Sequence, residues 1–174
     1  MNTMEAILTR RSVRNYQPDM VPQELIDQVL KAGTYAPTGK NLQSPIIIAV
    51  TNQEVRDKFA ALNNEVMDGA PGTDPFYGAP VVLIVLADRQ YPNYKYDGTL
   101  VMANLMLAAH ELGLGSCWIN RAREEFDRPE GKAFLKSLGI EGDYEGIGHC
   151  ILGYPDGPAS APKPRKKNYV YYVK

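Results

Sequence analysis

Residues 100–112 read LVMANLMLAAHEL, with Asn104, His110 and Glu111 as the only polar positions. A helix that is apolar on nearly every side must be covered on nearly every side, so it lies centrally in its domain or against a second subunit. Gly113-Leu114-Gly115 ends it. The apolar run stops well short of the ~20 residues a membrane span needs, and the N-terminal MNTMEAILTRR lacks the apolar core of a secretion signal. With 174 residues the chain has the length of one domain, residues 1–174, and reads as soluble and cytoplasmic.

Other elements arrange themselves around this helix. A short helix is expected over residues 4–9 and a second from Pro22 to about Gly33, with Leu25, Ile26, Val29 and Leu30 on one face. Ile46-Ile47-Ile48-Ala49-Val50 is a buried strand. Thr51-Asn52-Gln53-Glu54 has capping-box spacing and opens a helix with Val55, Phe59, Leu62 and Val66 on one side. Residues 68–79 form a loop, 80–86 a second buried strand, and 88–98 a loop with Tyr91, Tyr94 and Tyr96. Short strands follow at 116–119 and 149–154, with a small helix at 129–138 between them. Residues 155–174 form a C-terminal arm with four prolines, ending in a strand-like Tyr169-Val170-Tyr171-Tyr172-Val173. Helices and strands without strict βαβ alternation favour an α+β fold over a doubly wound one.

Several chemistries are excluded or weakened. Gly113-Leu114-Gly115 follows a helix and lacks the third glycine of a dinucleotide fingerprint, and no Walker sequence occurs. Cys117 and Cys150, His110 and His149 stand without ligand spacing, so neither a metal site nor a disulfide framework is expected. Cys117 beside Trp118 reads as a buried strand residue, and both histidines read as structural. A net charge of -1 and a pI of about 6.1 do not suit a nucleic-acid binder. The basic residues nevertheless concentrate at the two ends. Arg10, Arg11 and Arg14 lie near the start, and Lys163, Arg165, Lys166, Lys167 and Lys174 lie in residues 158–174, which hold no acid.

Two constellations carry chemistry. In Arg10-Arg11-Ser12-Val13-Arg14, guanidinium forks match phosphate oxygens and the serine adds a donor. The plain alternative is a group of surface arginines at a helix end; the second basic cluster, Lys163-Pro164-Arg165, adds weight to the phosphate clamp. Pro37-Thr38-Gly39-Lys40-Asn41-Leu42-Gln43 offers carboxamide and hydroxyl donors and acceptors suited to the polar edge of a flat heteroaromatic such as a flavin or nucleobase. An ordinary turn has the same composition.

RRSVRNYQPD, APTGKNLQSP, the apolar helix leading into GLGSCWI, and ILGYPDGP followed by PKPRKK occur in this order over nearly the whole chain. Together they resemble the FMN-dependent nitroreductase family. The resemblance implies a central, mostly antiparallel sheet flanked by helices, and an intertwined homodimer. It implies FMN-binding roles for Arg10, Arg11, Ser12 and Arg14, with Arg14 near the pyrimidine side of the ring, and for Lys163 and Arg165 at the same phosphate. Pro37, Thr38, Asn41 and Gln43 match a segment that serves the other subunit's flavin, with Thr38 where serine is commoner. Asn120 and Arg121, after GLGSCWI, are candidates for packing along the ring.

The implied activity is that of an NAD(P)H-dependent flavin oxidoreductase, taking hydride from NADH or NADPH and reducing a nitroaromatic, quinone or similar electron-poor acceptor. No catalytic acid or base is expected, because the cofactor carries the chemistry. The alternatives are a flavin-binding storage or sensor protein without turnover, a dehalogenase or flavin-fragmenting relative, and a small nucleotide-phosphate binder unrelated to flavin.

Overall fold

The computed structural model describes residues 1–174. Four strands, β1 (Pro45–Val50), β2 (Val81–Asp88), β3 (Gly115–Ile119) and β4 (Tyr144–Gly153), form one sheet in the order β1-β2-β4-β3. Every neighbouring pair is antiparallel, as expected for the α+β class. The alternation of a strand divides the core in two. Val82, Ile84, Leu86, Cys117, Ile119 and Ile151 pack toward α3 (Gln53–Val66), α5 (Ala122–Asp127) and α6 (Pro129–Ser137). Val81, Leu83, Val85, Cys150 and Leu152 pack toward α2 (Gln23–Thr34) and α4 (Tyr94–Glu111). Covered on both faces, β2 is buried over its whole length, which is why it reads as an unbroken apolar run.

The central apolar helix is longer than its sequence signal. It begins at Tyr94 rather than residue 100, so half of the expected 88–98 loop is its first turn. Val101, Met102, Leu105 and Ala109 are buried against the sheet and α2, whereas Leu100 stays 41% exposed. β4 starts at Tyr144, five residues before the expected strand. Its pairing with β2 shifts register between Val85 and Leu86. At Gly146 an added Cβ would lie 2.2 Å from the Ala122 carbonyl oxygen, so glycine lets α5 seat on the sheet at that point.

Three other expectations are corrected. α5 has no counterpart among the expected elements. The N-cap of α3 is Asn52, whose side chain accepts from the Val55 N–H at 3.0 Å; Thr51, the first residue of the capping-box spacing, is one position too early. Residues 169–173 make no strand within the chain, and all five are exposed. An edge strand leaves its outer N–H and C=O groups unpaired unless something covers them. The β3 edge is covered at one point, where Ser12 bridges to Ser116 and the Val13 N–H donates to the Ser116 carbonyl at 3.0 Å. The outer edge of β1 has no such partner. No helix is long and apolar enough to cross a membrane.

Candidate functional site

Arg10 caps the C-terminus of α1 (Thr3–Thr9), where its backbone N–H donates to the Ala6 carbonyl. From there the chain runs extended beside β3 and is tied to the start of the arm. The Gln17 N–H donates to the Tyr154 carbonyl and the Asp156 N–H to the Asn15 carbonyl, both at 2.9 Å. The buried Tyr16 hydroxyl donates to the Val13 carbonyl at 2.8 Å. Burial holds that hydroxyl well above its usual pKa, with Cys117 and Cys150 adding to the effect, so it remains a donor.

This strapping brings the two ends of the chain together. Arg10, Arg11, Ser12 and Arg14 line a hollow of about 580 Å³ with His110 and Asp156, within the ~300–1,000 Å³ range of ligand sites. Arg10, Arg11 and Ser12 also line a second hollow, closed from the other side by Pro162, Arg165 and Tyr169. Arg165 therefore meets the first cluster. Lys163 lines neither hollow; its carbonyl accepts from Arg165 Nη2 at 3.0 Å.

The electrostatics of this place are unusual. No carboxylate forms an ion pair with Arg10, Arg11, Arg14, Lys163 or Arg165. Arg11 Nη1 donates to the Leu8 and Arg10 carbonyls, yet Arg11 Nε and Arg10 Nη1 are buried without any partner. Buried donors are normally satisfied, and two guanidinium nitrogens without a protein partner, beside a basic hollow whose one lining carboxylate, Asp156, pairs with neither arginine, suit a phosphate. Nearby nucleophiles do not compete for a role. Burial pushes the Cys150 thiol up to about 12, Cys117 adds to that and Arg10 opposes it, so the thiol stays protonated at neutral pH.

The other predicted residues lie elsewhere in the chain. Thr38 precedes a short 3₁₀ turn, Gly39–Asn41, and its Oγ1 accepts from the Gln43 N–H at 3.1 Å. Gln43 Nε2 donates to Asn41 Oδ1 at 3.2 Å. Pro37, Asn41 and Gln43 are exposed. Thr38 and Gln43 border a separate hollow of about 440 Å³ with Leu30, Ile47 and Val101, so one chain does not unite them with the arginines. Asn120 and Arg121 link β3 to α5. Arg121 has a left-handed φ of 79°, its Nη1 donates to Asn63 Oδ1 at 3.3 Å, and the Asn120 carbonyl accepts from Asn63 Nδ2 at 2.9 Å.

Three residues that support these loops were not singled out in the sequence. Asn63 is fully buried and also donates to Glu125 Oε1. Glu125 Oε2 lies 2.9 Å from Nε2 of the equally buried His149. Asp97, on the first turn of α4, accepts from the Gly39 N–H at 2.9 Å. A polar residue inside a helix is the only sequence signal of each, and it does not distinguish a buried anchor from a solvated face.

A model of the nitroreductase family matches residues 7–154. A Methanothermobacter thermautotrophicus protein provisionally named NADH dehydrogenase/NAD(P)H nitroreductase is 38% identical over 142 residues, covering 79% of this chain and 70% of that one. An FMN reductase [NAD(P)H] of Bacillus subtilis is 33% identical over 93% of this chain and 69% of its own length. Among solved structures, a Bacteroides fragilis nitroreductase with bound FMN superposes with a TM-score of 0.88 at 28% identity, covering all of both chains.

Proposed function

We propose that this chain, which belongs to the nitroreductase family, is an FMN-dependent oxidoreductase that takes hydride from NADH or NADPH and reduces a nitroaromatic, quinone or similar electron-poor acceptor. The observation that carries the proposal is the pair of buried, unpartnered guanidinium nitrogens of Arg10 and Arg11 beside two hollows that both arginines line, with no carboxylate paired to either. When bound, the flavin supplies the hydride chemistry and the protein supplies orientation and electrostatics. Arg10 and Arg11 hold the phosphate with charge-assisted hydrogen bonds, Ser12 adds a hydroxyl donor, and Arg165 closes on it from the arm. Arg14 contributes positive charge beside the pyrimidine side of the ring. Asn63 fixes the Asn120-Arg121 turn from beneath.

The rest of the site comes from a second copy in a two-fold dimer, the commonest oligomer. Asn41 and Gln43 present carboxamides from the partner. The incomplete cover of α4, the open β1 edge and the exposed apolar residues Met4, Ile7 and Leu8 of α1 support this arrangement.

The purified protein is expected to be yellow and to release FMN, identified by mass, with absorbance at about 450 nm bleached by NADH or NADPH. FAD as the released flavin, or no flavin uptake, sinks the phosphate assignment. A flavin that neither nicotinamide bleaches marks a storage or sensor protein. A screen of nitroaromatic, quinone, iodinated phenol and free-flavin acceptors then separates reductase from dehalogenase and flavin-fragmenting chemistry. Arg11→Ala is expected to weaken FMN binding by roughly 10- to 150-fold, the scale of a lost hydrogen bond to a charged group. Arg165→Ala should cost less, because Arg165 is exposed in the chain and solvent screens what it contributes. Titration of FMN fluorescence measures both, and unchanged affinity in the two variants removes the clamp.

A further inference from the structure

We propose that Asp97 is a positioning residue for flavin binding: it holds Asn41 and Gln43 in the conformation presented to the partner's cofactor, a role that rests on the site assignment above. Within four residues the loop between α2 and β1 has three non-glycine residues in the left-handed region, with φ of 54° at Lys40, 55° at Asn41 and 51° at Gln43. Asparagine tolerates that region; lysine and glutamine gain nothing from it. Backbone held this way persists only where the surroundings over-determine it.

Asp97 supplies that determination at both ends of the strained stretch. Its Oδ1 accepts from the Gly39 N–H at 2.9 Å and its Oδ2 lies 3.4 Å from the Ser44 hydroxyl, itself buried. Between those two points, Thr38 Oγ1 accepts from the Gln43 N–H. The seat is closed from a third side by Asn93, since a Cβ added at Gly39 would lie 2.7 Å from Asn93 Nδ2.

The burial of Asp97 has no other evident use. It is 4% exposed and no Lys, Arg or His nitrogen forms an ion pair with it. An acid in the first turn favours a helix through its dipole, but it does so equally well at the surface. A carboxylate taken out of water without a cation needs donors, and those given to Asp97 come from the loop that carries Asn41 and Gln43. The exposed carboxamides are thereby fixed to the rigid N-terminal turn of α4 before any ligand arrives, which lowers the ordering cost of binding.

The test is amide hydrogen exchange of the flavin-free protein together with FMN affinity by fluorescence quenching, for the wild type, Asp97→Ala and Asp97→Asn. Asp97→Ala is expected to speed exchange across residues 38–44 by about tenfold or more and to weaken FMN binding by a similar factor, while exchange in β2 stays unchanged. Asp97→Asn keeps an acceptor for the Gly39 N–H and should stay within about threefold of wild type on both measures. Thr38→Val, which removes the other hold on the loop and leaves Asp97 in place, should move both measures in the direction of Asp97→Ala. Unchanged loop exchange in Asp97→Ala, with normal FMN uptake by the wild type, overturns the anchor alone. Faster exchange with unchanged FMN affinity overturns its link to the cofactor, as does an equal loss of affinity in the Ala and Asn variants. Wild-type protein that takes up no FMN overturns the site assignment itself, and with it the purpose given to Asp97.

Discussion

Glu125→Ala is expected to lower the stability of the protein by about 3–5 kcal/mol, the scale of removing one member of a buried, paired set of polar groups. Glu125, His149 and Asn63 are all fully buried. Glu125 Oε2 faces His149 Nε2 at 2.9 Å, and its Oε1 accepts from Asn63 Nδ2. Phe76 and Phe59 flank the imidazole, with ring centroids 5.2 and 6.4 Å away, so no water replaces a lost partner. The alanine variant leaves an imidazole and a carboxamide without the carboxylate and opens a cavity as well.

Glu125→Gln keeps the shape and one acceptor, and should cost only about 1–3 kcal/mol. Replacing the pair together, Glu125→Leu with His149→Phe, should cost less than Glu125→Ala, because a well-packed apolar substitute removes the desolvation penalty along with the attraction. Urea unfolding at constant m-value measures all three. A loss below ~1 kcal/mol in Glu125→Ala would mean that the pair is already hydrated.

The same trio shows why part of the site was hidden in the sequence. Asn63, Glu125 and His149 come from α3, α5 and β4 and meet only through tertiary packing. Glu125 lies in Ala122–Asp127, where only Ala122 and Phe126 offer an apolar pattern, so neither the helix nor its inward-facing acid stands out. The first half of β4, Tyr144-Glu145-Gly146-Ile147-Gly148, carries two glycines that depress strand propensity. Gly146 is there for the approach of Ala122, and a Cβ at Gly148 would meet the Trp118 ring at 2.6 Å. The first turn of α4 carries Lys95 and Asp97, which interrupt the apolar run that marks the rest of the helix. By contrast β1 and β2 were legible because each is one short apolar run. The basic cluster stood out because three arginines within five residues, matched by a second basic cluster in residues 158–174, which hold no acid, is a charge pattern that the chain must either solvate or use. What the charge pattern does not contain is the strap of Tyr16, Gln17 and Asp156, which brings Arg11 and Arg165 to one hollow.

Deleting residues 168–174 is expected to weaken the proposed dimer by roughly a hundredfold or more and to release FMN in parallel. Tyr169, Val170, Tyr171, Tyr172 and Val173 are between 63% and 101% exposed in the single chain, an apolar segment with no cover of its own. The open edge of β1, whose Ile46, Ile47 and Ile48 are only half-buried, offers unpaired backbone groups to an added strand. In the proposed two-fold pair, a second copy would supply such a strand twice over. Each apolar side chain fully buried there is worth about 1.5–3 kcal/mol. Even after the ordering entropy of the arm is subtracted, a net ~1.5 kcal/mol per arm comes to ~3 kcal/mol per dimer, or more than a hundredfold in its dissociation constant. In the proposed site Arg165 and the partner's carboxamides hold one flavin between them, so FMN loss is expected to follow dimer loss by mass action. Light scattering during size-exclusion chromatography, read beside the 450 nm absorbance, measures both quantities on one sample. A truncated protein that stays dimeric and yellow would show that the arm is dispensable for both. A full-length, flavin-bound and active species near 19.3 kDa would show that one chain completes the site alone, with Asn41 and Gln43 serving no partner.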